Sequence, residues 1–120
     1  MVKRAIVADD SPTWRQIYTS LITSHFPDVN VDQVASGSEL VDRVLSEDYC
    51  LVISDNDMEG QGGGLRALKR VREAGNQIPF YVISSGNIRT QALGLGANGS
   101  YSKDSFNSHT FLGDMAKYLK

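Results

Sequence analysis

Strand-like and helix-like segments alternate five times along this chain, and this alternation constrains the fold more than any other feature. The five strand-like runs are Ala5–Ala8, Val29–Val34, Cys50–Ser54, Tyr81–Ser84 and Gly99–Ser102. The third run is apolar throughout, as expected for a strand that is covered on both faces. Strands that alternate with helices pair in parallel, with the helices packed on the two faces of the sheet. The sequence therefore predicts an α/β fold around a five-stranded parallel sheet.

Local signals mark several of the helices. Ser11-Pro12 supplies an N-cap residue followed by a proline at the first helical position. Ser36 and Glu39 have the spacing of a capping box at the start of the second helix. The fourth helical segment, at about residues 87–95, contains a glycine, so we expect a short or irregular helix there. An amphipathic helix closes the chain.

Composition excludes several classes of protein. The chain has 120 residues, which suits one core, so we expect residues 1–120 to form a single domain. Its formal net charge of −2 argues against a nucleic-acid partner, which would require a basic face. The first apolar stretch stops at Asp9, too early for a signal peptide or a membrane span. The single Cys50 cannot form an internal disulfide. We therefore expect a cytoplasmic protein without a membrane or nucleic-acid partner.

Polar residues follow four of the predicted strands. They are Asp9, Asp10, Asp55, Ser85 and Lys103. Parallel strands place their C-terminal ends on one edge of the sheet, so these side chains should meet there. Three neighbouring carboxylates repel one another and remain ionised only when a cation joins them, and Mg²⁺ favours such hard oxygen ligands. The pattern predicts a phosphoryl-transfer pocket with a metal-binding acid cluster, a hydroxyl group and an ammonium group.

Each of these residues also has a simpler interpretation. Asp9 and Asp10 would suit the positive end of the first helix dipole. Asp55 could be a turn residue, although it closes an unbroken apolar strand, and Lys103 could be a solvated surface lysine. The convergence of all of them at one predicted edge favours the functional interpretation.

Two further residues near this edge have open roles. Ser84 competes with Ser85 for the role of the hydroxyl donor, and the glycine at position 86 favours Ser85. Trp14 lies one turn into the first helix, where a core position is the simplest interpretation. Its place in the sequence also suggests that its fluorescence could report on the acid cluster.

The order of these parts resembles the response-regulator receiver domain of two-component signalling, of the kind found in chemotaxis regulators. The segment Leu51–Met58 resembles the phosphoacceptor segment of that family, and Gly63 stands at the place of its loop glycine. The resemblance covers essentially the whole chain. It implies a flavodoxin-like, doubly wound, five-stranded parallel sheet of order 2-1-3-4-5 with helices on both faces.

The resemblance also implies a set of metal ligands. Asp10 would bind Mg²⁺ directly, and Asp9 beside it would act through water. Asp55 would share the metal, and the backbone carbonyl of Asp57 would provide a further ligand.

The resemblance implies that Asp55 accepts a phosphoryl group from a histidine kinase or a phosphotransfer protein. Lys103 and Ser85 would each contact a phosphoryl oxygen. Such a protein phosphorylates and dephosphorylates itself and is not a turnover enzyme. No DNA-binding segment follows the predicted last helix, so we expect a stand-alone receiver that signals by contact with another protein.

The chain departs from the family pattern at several positions. Glu59 replaces a proline in a glycine-rich loop, so we expect that loop to be mobile. Asp104 replaces a second proline, after the lysine. Ser100 occupies the place of the switch aromatic, and Tyr101 is one residue away, on the opposite face of the strand. Together with the clipped fourth helix, these departures predict an altered coupling between phosphorylation and output.

Two alternative functions follow from these observations. A degenerate receiver could act as an interaction module that does not depend on phosphorylation, since the switch aromatic is missing. The segment Leu51–Met58 also resembles the Asp-x-Asp motif of haloacid-dehalogenase-type phosphatases. Those enzymes need an acidic pair after the lysine, whereas here the pair comes first, so this alternative is the weaker one.

Overall fold

The computed structural model describes residues 2–120 and contains a five-stranded, all-parallel sheet of order β2-β1-β3-β4-β5. The strands are β1 (Lys3–Ala8), β2 (Val29–Val34), β3 (Leu51–Asp55), β4 (Phe80–Ser84) and β5 (Gly99–Ser102). This order confirms the predicted doubly wound sheet. The third strand lies one residue later than predicted and ends at Asp55 itself.

Within the described residues, five α-helices connect or follow these strands. They are α1 (Pro12–His25), α2 (Gly37–Ser46), α3 (Gly63–Glu73), α4 (Arg89–Gly94) and α5 (Ser108–Leu119). The predicted caps are present: the Ser11 side chain accepts a hydrogen bond from the backbone N–H of Trp14, and Ser36 accepts one from Glu39. Helix α4 has six residues, which confirms a short fourth helix.

The sheet separates two apolar cores. Along β3, Val52 faces α2, α3 and α4, whereas Leu51 and Ile53 face α1 and α5. This alternation buries every residue of β3, which explains its continuous apolar sequence. Helices therefore cover both faces of the sheet, as the sequence predicted.

Strand register brings the polar residues to one edge of the sheet. Ala8 at the end of β1 pairs with Ser54, so Asp9 and Asp55 leave the sheet side by side. Ser84 pairs with Ser102 at the end of β5, immediately before a single 3₁₀ turn at Lys103–Ser105. The part of the chain described here contains no helix long and apolar enough to cross a bilayer.

Candidate functional site

An acid cluster lies at the C-terminal edge of the sheet. Asp9, Asp10 and Asp55 each offer one carboxylate oxygen, and these three oxygens lie within 4.8 Å of one another. Asp9 and Asp55 are fully buried, while Asp10 is exposed. The cluster predicted from the strand ends is therefore formed, with one member open to solvent.

The main chain fixes the position of Asp9. Its backbone N–H donates to the carbonyl of Val34, which continues the pairing of β1 with β2 by one residue. Its Oδ1 accepts a hydrogen bond from the backbone N–H of Ser11 at 2.9 Å, and its carbonyl accepts one from the guanidinium of Arg15 at 2.7 Å. These contacts hold the carboxylate at the start of α1 and direct Oδ2 into the cluster.

Lys103 provides the positive charge of the site. Its Nζ lies 3.0 Å from Asp55 Oδ1 and 3.8 Å from Asp9 Oδ2, and its side chain is 16% exposed. The interpretation of Lys103 as a solvated surface residue is therefore not supported. The ammonium group lies where it can neutralise charge on Asp55 or on a group attached to Asp55.

Burial opposes the ionised forms of the two inner carboxyl groups. Burial, with a smaller contribution from the negative charge of Asp55, raises the pKa of Asp9 to about 6, although the Ser11 hydrogen bond acts in the opposite direction. Burial also raises the pKa of Asp55, and Lys103 offsets part of that effect. The pocket thus contains more negative charge than its own lysine neutralises.

The acid cluster fits a divalent cation. Asp9 Oδ2 and Asp55 Oδ2 are buried without a hydrogen-bond partner among the described residues, and Asp55 Oδ1 has only its ion pair with Lys103. Buried oxygens of this kind normally have a partner, and a hard cation would supply one. The donor set consists of oxygens only, which suits Mg²⁺ or Ca²⁺ better than a soft metal.

The two candidate serines occupy different environments at the end of β4. Ser85 is exposed, one residue beyond β4, and its backbone N–H donates to Asp57 Oδ2 at 3.1 Å. Ser84 is the buried last residue of β4, and its Oγ accepts a hydrogen bond from the backbone N–H of Gly86 at 3.1 Å. Since that Oγ accepts here, its O–H remains available to donate. Burial and strand position therefore favour Ser84.

The loop after Asp55 has side-chain contacts that sequence reasoning missed. Asn56 Oδ1 accepts a hydrogen bond from the backbone N–H of Leu65, which ties the loop to the first turn of α3. Glu59 has a φ of 55°, and its Oε1 accepts a hydrogen bond from the backbone N–H of Gly37 at 2.7 Å. Glu59 therefore caps α2 from another loop, a role that no local pattern in the sequence signals. The predicted mobility of this loop stays a prediction.

An aromatic contact of the lysine was also missed. Lys103 Nζ lies 5.0 Å from the ring centroid of Trp14, within the range of a cation–π interaction. The early position of Trp14 in α1 indicated proximity to the acid cluster. Its contact with Lys103 could not be read from spacing, because the two residues belong to opposite ends of the chain.

Ser100 and Tyr101 point to opposite faces of β5, as predicted. The Tyr101 ring joins the core under α1 and α5, stacks on Tyr81 at 5.7 Å, and donates its hydroxyl hydrogen to Asp114 Oδ2 at 2.6 Å. Tyr101 therefore packs against α5 and leaves the place of the switch aromatic to a serine side chain.

The fold and site define the class of this protein. The response regulator receiver domain family matches residues 5–111, and the chain belongs to that family. Receiver domains are phosphoryl-accepting modules of two-component signalling that work with histidine kinases or phosphotransfer proteins, and they are not typical turnover enzymes. No curated protein matches the chain.

Solved structures are similar over nearly the whole chain. The chemotaxis response regulator CheY4 of Vibrio cholerae has 22% identity and a TM-score of 0.82, covering 99% of this chain and 100% of that one. The response regulator TrrA of Thermotoga maritima, determined in complex with Mg²⁺-BeF, has 24% identity and a TM-score of 0.83, covering 98% and 100% respectively. A putative response regulator of Chloroflexus aurantiacus has 21% identity and a TM-score of 0.82, covering 99% and 98%. At these identities the likeness shows the fold.

Proposed function

We propose that Asp55 accepts a phosphoryl group in the presence of Mg²⁺ and that the phosphorylated protein signals by contact with another protein. One observation carries this proposal. The buried carboxylate of Asp55 has one oxygen 3.0 Å from Lys103 Nζ and the other without a hydrogen-bond partner among residues 2–120, and it shares an acid cluster with Asp9 and Asp10. A nucleophile, a counter-charge and a cation site thus meet at one point.

The acid cluster would hold the metal. Asp9, Asp10 and Asp55 would supply carboxylate oxygens, and the backbone carbonyl of Asp57 would complete the protein ligands. Bound Mg²⁺ neutralises the charge of the carboxylates and of the phosphoryl group, which otherwise repel each other.

Asp55 itself performs the bond-making step. One of its carboxylate oxygens attacks phosphorus and forms an O–P bond, while the bond from phosphorus to the donor atom breaks and the donor keeps the electron pair. The donor atom would be an imidazole nitrogen of a histidine kinase or phosphotransfer protein. A carboxylate needs no general base, because it has no proton to lose in its ionised form.

Two groups would stabilise the transferred phosphoryl group. Lys103 would move its ammonium from an Asp55 oxygen to a phosphoryl oxygen with little displacement. We assign the hydroxyl contact to Ser84, the buried strand-end residue, in place of Ser85. Burial of these groups limits their reorganisation, and such preorganised charge is the main source of catalysis in phosphoryl transfer.

Intact-mass analysis with acetyl phosphate and Mg²⁺ tests the function. Wild-type protein should gain one phosphoryl group, and Asp55→Asn should gain none. Omission of Mg²⁺ should abolish the gain or slow it strongly. Continuous release of phosphate from a model phosphomonoester would instead support the phosphatase alternative.

The proposal also includes a cytoplasmic location and a single domain over residues 1–120.

A phosphorylation-independent interaction module is the second candidate. It is favoured by Ser100 in the switch position and by the commitment of Tyr101 to Asp114 on α5. A partner captured equally well by wild type and by Asp55→Asn, with and without acetyl phosphate, would favour this role. A partner that needs phosphorylated Asp55 would favour the signalling role.

A further inference from the structure

The ammonium of Lys103 is bounded on several sides. Its Nζ lies 3.0 Å from Asp55 Oδ1, 3.8 Å from Asp9 Oδ2 and 5.0 Å from the ring centroid of Trp14. Only 16% of the lysine side chain is exposed. Carboxylates and an aromatic face therefore replace most of the water around this charge.

Trp14 is itself held by the core. Its ring stacks on Tyr18 with a centroid distance of 5.7 Å and an interplanar angle of 28°. Tyr18 is fully buried and packs against Phe106 and Phe111. Trp14 also lies in the capped first turn of α1. Its ring is therefore held in position both by the helix and by its packing against Tyr18.

An aromatic ring that is held in position can restrict the flexible side chain of a catalytic lysine. The four-carbon stem of lysine has several rotatable bonds, and ordering it for catalysis costs conformational entropy. The negative face of an indole attracts an ammonium group, most strongly where water is excluded. A lysine already confined beside the nucleophile loses less freedom when it must contact the phosphoryl group.

We propose that Trp14 is a positioning residue for Lys103, and that its ring face holds the ammonium in place for phosphoryl transfer to Asp55. This inference rests on the proposed function. Trp14 would act on the rate through the lysine, without contact with the phosphoryl group.

The chain contains a single tryptophan, so the electron density of this ring can be changed with little change in its shape. Protein made with 5-fluoro-, 5,7-difluoro- or tetrafluorotryptophan alters only position 14. Fluorine withdraws electron density from the ring face and weakens its attraction for a cation while its shape changes little. The rate of phosphorylation by acetyl phosphate at fixed Mg²⁺ should fall stepwise with each added fluorine. Equal rates across the series, at unchanged thermal stability, would overturn the proposal.

Substitutions give an independent comparison. Trp14→Leu should slow phosphorylation by about 2- to 30-fold, the range that the usual strength of a cation–π contact predicts, and Trp14→Phe should recover part of the loss. Tyr49→Leu is the matched control, because it removes the cation–π contact with Arg4 at the opposite end of the sheet. It should leave the rate unchanged. A merely structural Trp14 would instead give equal rates for Trp14→Leu and wild type when both are compared well below their melting temperatures.

The two proposals fail in different ways. If unmodified protein gains no phosphoryl group on Asp55, the proposed function is lost, and the role of Trp14 with it. If unmodified protein is phosphorylated and the fluorinated forms react equally fast, only the role of Trp14 is lost.

Discussion

Burial determines the behaviour of single residues at this site. Asp9 and Asp55 are carboxylates without exposure to water, and among residues 2–120 only Lys103 forms an ion pair with them. A charge removed from water without full compensation destabilises the folded state. The buried charges should therefore lower the unfolding free energy of the metal-free protein, and divalent cations should raise it.

Asp9→Asn tests the cost of this buried charge. The folded-state pKa of Asp9, about 6, lies above its ordinary value of 3.8, so the folded state binds the proton more tightly than the unfolded chain does. Ionised Asp9 thus lowers stability above pH 6, and this penalty disappears below about pH 4. Asp9→Asn should raise the metal-free unfolding free energy at pH 7.5 by about 1 to 3 kcal/mol.

Urea unfolding at pH 7.5 and pH 4.5 measures the effect. The increase in unfolding free energy caused by Asp9→Asn should be smaller at pH 4.5 than at pH 7.5. Mg²⁺ should stabilise wild type more than Asp9→Asn. The exposed Asp28→Asn is the control and should change little. Destabilisation by Asp9→Asn at both pH values would contradict the expected charge penalty.

Ser84 and Ser85 give a second test at the residue scale. Ser84→Ala should slow phosphorylation by acetyl phosphate about tenfold or more, because a hydrogen bond to a charged group is lost in the transition state. Ser85→Ala should have a much smaller effect, since Ser85 is exposed and donates to Asp57 through its backbone N–H. The phosphorylation rates of the two variants distinguish the two serines. A larger loss of rate in Ser85→Ala than in Ser84→Ala would support Ser85, the serine predicted from the sequence.

At the scale of elements, the glycines after Asp55 allow close packing. A Cβ atom at Gly64 would lie 2.5 Å from the backbone carbonyl oxygen of Asp55. The first turn of α3 therefore packs directly against the main chain of Asp55. The sequence suggested mobility for this glycine-rich loop, whereas close backbone contacts give both Gly63 and Gly64 a steric reason.

Gly64→Ala should therefore destabilise the protein by about 1 to 3 kcal/mol, because the backbone of Asp55 must move to accommodate the methyl group. Gly113→Ala in α5 is the matched control, since a Cβ there meets nothing within 4 Å. It should stabilise the protein by about 0.5 to 1 kcal/mol through helix propensity. Thermal or urea unfolding compares the pair. A stability of Gly64→Ala equal to wild type would show that the close approach has no cost.

Elements with local signals were predictable, and contacts between distant elements were not. The caps at Ser11 and Ser36 use residues three positions apart, so the sequence displays them directly. The Glu59 cap on Gly37 and the Trp14–Lys103 contact depend on how separate elements pack. The sequence also predicted the end of β4 at Ser84, where the strand pairs with Ser102. The choice between Ser84 and Ser85 as the hydroxyl donor depends on burial, which the local sequence did not show.

At the scale of the whole molecule, the parallel sheet brings the site together. Asp9 and Lys103 stand near opposite ends of the chain, and in-register strands bring their charged atoms to 3.8 Å. The general fold and the position of the acid cluster at the sheet edge could be predicted, because the alternation of strands and helices determines both. The orientation of Tyr101 toward α5 follows the same alternation, and it separates this chain from receivers with an aromatic at the place of Ser100.

Localisation of the phosphoryl group tests the central claim most directly. Protein treated with acetyl phosphate and Mg²⁺ is reduced with borohydride, which converts an aspartyl phosphate to homoserine, and its peptides are sequenced by mass spectrometry. We predict homoserine at position 55 alone, with none when Mg²⁺ is omitted. Modification of another residue, or none at all in folded protein with Mg²⁺ present, would contradict it.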